Sequence, residues 1–210
     1  MRASELLGEA ERARLAGVIR EVERTTGGEI VVAVASACDE YGSAGWRLGA
    51  ALAALGFLGL GLFAPPLPWL AYLAAQAALL LLGHALARVD AVRRALVDES
   101  LVEARVAERA RRAFAEHGLA RTRGRTGILI FVALFERRVV VLADEGIHRA
   151  LSPQESWTEV VERATSGLHS GVACVGLESA VRRCGEILAR HLPSEVANPD
   201  ELPNAVVIED

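Results

Sequence analysis

The chain has 210 residues, 52% of them hydrophobic, and a formal net charge of −4. No excess of basic charge points to a nucleic-acid partner, and every strong cation is arginine, because the sequence contains no lysine. Three cysteines, Cys38, Cys174 and Cys184, show no CxxC or Cys/His ligand spacing, so they read as free thiols of a reducing compartment rather than as a disulfide framework or a zinc site.

Residues 3–26 read as one amphipathic helix: Leu7, Leu15, Val18, Ile19 and Val22 recur at helical spacing among Glu and Arg. Gly27 and Gly28 stop it. The β-branched run Glu29 to Ala35 follows as a buried strand. Asp39, Glu40 and Tyr41 then form an acidic corner, read as a solvated linker, with a divalent cation as the alternative.

The stretch from Trp46 to Ala87 is of another kind. No charged residue occurs from Leu48 to Ala64, nor from Leu67 to Ala87. A bilayer core of roughly 30 Å takes roughly 20 helical residues to cross. Pro65, Pro66 and Pro68 fall between the runs, where a helix cannot continue. The expectation is a transmembrane helical hairpin over 44–88, with spans at about 46–64 and 67–87. Gln76 and His84 are its polar exceptions, on one stripe expected to face a partner helix. The glycines at 49, 56, 59, 61 and 83 are expected to permit close helix approach. Arg47 precedes the first span and Arg88, Arg93 and Arg94 follow the second. The positive-inside rule therefore puts both termini in the cytoplasm.

Asp90 to Gly118 reads as one long basic helix, capped by Asp90 and stopped by Gly118. Gly127 to Phe135 and Val139 to Ala143 read as two strands joined by a turn at Glu136–Arg138. Their near-continuous apolar character implies burial on both faces. Ser152-Pro153-Gln154-Glu155 starts a helix to about His169. A last helix spans Val172 to Leu192, with Val175, Ala180, Val181, Cys184, Ile187 and Leu188 inward. Residues 193–210 read as an extended acidic tail. The fold class is α/β: a small mixed sheet layered between helices and interrupted by the hairpin. Residues 1–43 supply its first part and 89–192 its second.

Several separated stretches carry a resemblance. They are Arg24-Thr25-Thr26-Gly27-Gly28-Glu29-Ile30-Val31-Val32 and Thr122-Arg123-Gly124-Arg125-Thr126-Gly127-Ile128-Leu129-Ile130. Further on come Glu136-Arg137-Arg138-Val139-Val140-Val141 and Asp144-Glu145-Gly146-Ile147, then Trp157 and Glu201-Leu202-Pro203-Asn204. In this order they resemble the TPM domain family, named after a thylakoid lumen protein, a photosystem II repair factor and a modulator of an acetylcholine receptor. The hairpin resembles the bacterial membrane-protein branch, which implies the inner membrane. Some members are phosphatase-like, some bind calcium, and others assemble or repair membrane complexes. Where catalytic-type members carry an acidic Asp-Asn-Gly-like loop, this chain reads Arg125-Thr126-Gly127.

Two functional expectations follow. One is a membrane-tethered interaction or assembly module, working on a membrane protein or a second copy of itself. The other is a phosphatase-like hydrolase. For it, Arg123 and Arg125 would hold phosphate, and Asp144, Glu145 and His148 lie just past a strand end, where α/β folds place sites. The competing structural reading is an ion-pair network in which Glu136 and Asp144 brace the arginines of the β-hairpin. No cofactor is expected; calcium at Asp39/Glu40 or at Asp144/Glu145 is the alternative.

Overall fold

The computed structural model describes residues 2–63, 68–151, 156–193, 202–203 and 205–210. The chain forms two compact units, one of residues 1–38 with 104–210, the other of residues 39–103.

The first unit is built on a four-stranded mixed sheet of order β3-β2-β1-β4. Strand β1 (Glu29–Ala35) pairs in parallel with β2 (Gly127–Ala133). Strand β3 (Arg138–Ala143) runs antiparallel to β2. Strand β4 (Val207–Glu209) adds to the far side of β1 in parallel. The extended tail thus ends as an edge strand, too short for its period-2 pattern to stand out in sequence. Strands β1 and β2 are buried throughout, as their apolar runs predict. Strand β3 is only half-buried. It is an edge strand, so the expectation that both its faces are covered is corrected.

One face of the sheet carries Ile30, Val32, Val34, Ile128, Ile130 and Val132. Helices α1 (Ala3–Leu6), α2 (Glu9–Glu23), α8 (Thr158–His169) and α9 (Ala173–His191) share its core. Outside that cluster, Val31, Leu129 and Phe131 are buried on the strands, as are Leu119 and Val106, Ala110 and Ala113 of α6 (Glu99–Glu116). Alternation in a strand sends neighbouring side chains to opposite faces, so these two sets make the helix–sheet–helix layering.

Two expected helices are each broken in two. Residues 3–26 break at Leu7 and Gly8, where Leu7 turns inward, fully buried, and the Gly8 N–H donates to Glu11 Oε2 at 2.9 Å. The long basic helix is likewise two: α5 (Asp90–Leu96) ends at Val97, whose backbone is extended, and α6 restarts. Gly118 does stop α6, at φ 74, a left-handed turn that suits glycine. In α9, Ala180, Val181, Cys184, Ile187 and Leu188 are buried as expected, but Val175 is exposed. The helix expected from Ser152 begins only at Thr158, after a non-helical Ser156 and Trp157, and Ser152–Glu155 lie outside the described residues. A short helix α7 (Glu145–Ala150), not anticipated, follows β3.

The second unit holds α3 (Ser43–Phe63) and α4 (Trp69–Leu86), together with α5. Both α3 and α4 are long and apolar enough to cross a membrane, with mean hydropathy 1.4 and 1.6 over the spans, of which only 11% and 6% is buried. A core helix of the same composition would be mostly buried. Large side chains instead point outward along both, among them Leu55, Phe57, Leu58, Leu62, Leu70, Leu73, Leu81 and Leu82. The turn at Pro65 and Pro66 lies outside the described residues.

The two helices pack through small residues. A Cβ at Gly83 would strike the backbone of Gly49, one at Gly49 the backbone of Leu80, and one at Gly56 the side chain of Leu79. Gly59 and Gly61 face open space, so they take no part in this packing. The Trp46 and His84 rings stack at 4.6 Å. Gln76 Nε2 and His84 Nδ1 are buried, so the polar stripe does face the neighbouring helix.

Candidate functional site

Three of the stretches that carry the resemblance, at Gly28–Glu29, Arg125–Gly127 and Asp144–Ile147, meet at one end of the sheet. Glu29 and Gly127 are register partners, so the amino ends of β1 and β2 lie side by side. Strand β3 is antiparallel, so its carboxyl end, followed by Asp144, arrives at that same end. The Asp144 N–H donates to the Gly127 carbonyl at 2.9 Å and the Glu29 N–H to the Thr126 carbonyl at 3.1 Å. Ligand sites of open α/β sheets sit outside the carboxyl ends of parallel strands. The Asp144 corner is at the opposite end, which removes the strand-end argument for a site there.

Asp144 is 6% exposed and is engaged on several sides. Its Oδ1 accepts from the Glu145 N–H at 2.7 Å, capping α7, and from Arg125 Nη2 at 3.1 Å. Arg125 Nε lies 3.3 Å from both carboxylate oxygens. The hydrogen bonds Arg125 donates to Asp144, and then the charge of that carboxylate, raise the Arg125 pKa above its ordinary value. Arg125 itself has φ 53. Its carbonyl accepts from the Gly146 N–H at 3.0 Å, and any Cβ on Gly146 would collide with the carbonyls of Gly124 and Arg125. Ile147, next along, is fully buried in the core. Asp144 and Gly146 therefore join α7 to the loop before β2, and Ile147 anchors α7 in the core.

Glu145 pairs with Arg149 at 2.5 Å and stands 4.0 Å from Arg125. His148 Nδ1 lies 3.0 Å from the Asp144 carbonyl. A carbonyl only accepts, so Nδ1 carries the proton and Nε2 points elsewhere. Arg123 is exposed on the same loop. The expected partnership of Asp144 with an arginine of this loop is present.

Glu136 is not part of this corner. It sits beyond the opposite end of β2, buried, and its Oε1 accepts from the Cys38 N–H at 2.8 Å. The seven-residue length of β2 separates Glu136 from Arg125, roughly 23 Å at ~3.3 Å per residue. The anticipated bracing of Arg125 by Glu136 is therefore corrected. Burial, followed by the neighbouring Glu136 carboxylate, pushes the Cys38 thiol pKa well up.

A second polar group ties the tail down, and it was not anticipated. Arg109 Nη2 meets Glu209 Oε2 at 2.6 Å, and His117 Nε2 lies 3.6 Å from Glu209 Oε1. The Asp210 carboxylate accepts from the Ser36 hydroxyl at 2.7 Å and from the Ser4 N–H at 3.2 Å. Hydrogen bonding from the Ser4 side chain first and the Ser36 hydroxyl second, with the Ser4 backbone N–H adding less, holds the Asp210 pKa down at about 2. Partners this far apart in the chain, 174 positions for Ser36 and 206 for Ser4, leave no local signal in sequence.

Calcium takes roughly 6–8 oxygen ligands. Among the described residues no group of three or more His, Cys, Asp or Glu side chains converges to hold a metal ion. Asp144 and Glu145 are committed to arginines, and Asp39 Oδ1 accepts from the Tyr41 N–H at 2.9 Å. These residues do not fit a calcium shell.

No protein-family model matches the chain, and no curated protein matches it. Among solved structures, the chain is similar to the BA42 protein of the psychrophilic bacterium Bizionia argentinensis, determined by NMR. The identity is 20%, the match covers 96% of this chain and 94% of that one, and the TM-score is 0.59. The chain therefore shares its fold with this bacterial protein.

Proposed function

We propose that the protein is an integral membrane protein whose TPM-like α/β domain serves as a cytoplasmic interaction or assembly module. In this reading α3 and α4 form a two-span anchor, and tethering raises the effective concentration of the domain near membrane partners. The observation that carries it is the apolar surface of α3 and α4, which stays exposed among the described residues. Water would have to solvate that surface, and lipid removes the cost. Arg47 and Asp98 pair at 3.7 Å beside the start of α3. Arg88, Arg93 and Arg94 follow α4, and this flanking charge supports a cytoplasmic orientation for both termini.

The state of Asp144 supports an interaction role over hydrolysis. A phosphoryl group needs open cations, and the inner face of Arg125 is taken by Asp144. The second reading, a phosphatase-like hydrolase, draws on the exposed outer side of Arg125, Arg123 on the same loop, and His148 nearby. Turnover of p-nitrophenyl phosphate by the purified full chain tests the choice. The proposal expects none above background. Turnover lost in Asp144→Asn and kept in Glu103→Gln would replace the module with an enzyme.

A further inference from the structure

At the carboxyl end of β2, opposite the Asp144 corner, the described residues leave the sheet face incompletely covered. Helix α1 is a single turn and α8 ends at His169. Between them opens a cavity of about 360 Å³, lined by Leu6, Leu134, Val139 and Leu168, with Arg137, Thr165 and His169 among its polar wall. Small-molecule sites have volumes of ~300–1,000 Å³, mostly apolar walls and a few placed polar groups. They favour the carboxyl ends of sheet strands. The cavity meets each condition.

The four apolar side chains stay only half-buried although they pack against the main core. Arg137 stands in a left-handed conformation, φ 55, fixed by its N–H donating to the Leu134 carbonyl at 3.2 Å. Such a conformation is uncommon for a residue with a Cβ. It sets an exposed guanidinium at a wall that Leu134 and Val139 make apolar. Among the described residues no carboxylate pairs with Arg137 or with His169. The pairing of an apolar chamber with cationic donors selects a ligand that is apolar along its length and anionic at one end.

We propose that this cavity binds a single-chain amphiphile, an alkyl chain ending in a carboxylate or phosphate, with the chain against Leu6, Leu134, Val139 and Leu168 and the head at Arg137 and His169. The inference does not depend on the membrane reading, since every lining residue belongs to the sheet-bearing unit.

The test is photo-cross-linking of the full chain in its membranes with a diazirine-bearing dodecanoate probe, mapped by peptide mass spectrometry. The expected result is labelling of the segments around Leu134–Val139 and Leu168–His169. Excess laurate or dodecyl phosphate should compete it away, and uncharged dodecanol should compete about tenfold less well. The better of the two anionic competitors distinguishes a free fatty acid from a phosphate-headed lipid. Leu168→Trp, which fills the chamber, should abolish this labelling. Arg137→Gln, on the surface and without consequence for folding, should reduce it about tenfold while leaving any labelling of α3 and α4 unchanged. Labelling confined to α3 and α4, equal competition by dodecanol, or full labelling of Arg137→Gln would each overturn the proposal.

Discussion

The Gly146 N–H donates to the carbonyl of Arg125 at 3.0 Å while the Arg125 guanidinium reaches round to the Asp144 carboxylate at 3.1 Å. Backbone and side chain thus clasp the start of α7 to the loop before β2. The clasp makes stability, rather than catalysis, the first property to change on mutation. Asp144→Ala removes a helix cap and the ion pair, and should cost about 1–2 kcal/mol. Gly146→Ala drives a methyl group into two carbonyls, and should cost about 1–3 kcal/mol. Glu145→Ala, at an exposed pair, should cost under about 0.5 kcal/mol. Thermal melts of the three variants in one detergent check the order. Equal effects would contradict the clasp.

The carboxyl terminus should undock in acid. The Asp210 pKa is lowered from 3.8 to about 2 in the folded chain by its bonds to Ser4 and Ser36. A depressed carboxylate contributes its stability above the unfolded value and loses it as pH falls through the folded value. Hydrogen exchange at Val207–Glu209 should therefore be slow above pH 4 and accelerate between about pH 4 and 2. Ser36→Ala should move that acceleration to higher pH. An unchanged profile would separate Asp210 from the docking of β4.

The cysteines should be slow to react in the native chain. Burial first, then Glu178, pushes the Cys174 thiol from 9.0 up to about 11. That shift alone cuts the thiolate fraction at pH 8 by about a hundredfold. Burial alone pushes Cys184 well up. Iodoacetamide at pH 8 should modify Cys174 and Cys184 at least that much more slowly in the folded protein than in urea. Fast native modification would mean that α9 is not packed as described.

Within the hairpin, glycines should divide into two classes. Gly49→Leu and Gly83→Leu insert bulk where the backbones touch, and should splay α3 from α4. Gly59→Leu and Gly61→Leu face open space and should be tolerated. Disulfide trapping between cysteines introduced on the two facing surfaces reads the difference, and loss of trapping in the second pair would reverse the packing assignment.

Much of this fold was legible in sequence because period and composition are local. The unbroken apolar runs of β1 and β2 match strands buried on both faces, and the charge-free runs match α3 and α4. What sequence hid is non-local. The break at Gly8 depends on a Glu11 side chain that folds back to cap it, and the break at Val97 interrupts an otherwise continuous helical pattern. Strand β4 is three residues long and exists through pairing with β1. Glu136 and Asp144 looked equivalent as acids flanking the β3 strand, yet an antiparallel strand sends its two ends to opposite ends of the sheet. Of the candidates Arg123, Arg125, Glu136, Asp144 and His148, the structure brings Arg125, Asp144 and His148 together and leaves Glu136 at the other end of the sheet. Only strand direction reveals that these three lie at the amino ends of the parallel strands.

The central claim is that α3 and α4 lie in lipid. Extraction of membranes with alkaline carbonate tests it most directly. The full chain should remain entirely in the membrane pellet, as should Asp144→Ala, whose lesion is confined to the other unit. Release of the intact chain into the supernatant would contradict the claim and leave the apolar faces of α3 and α4 to be covered by protein.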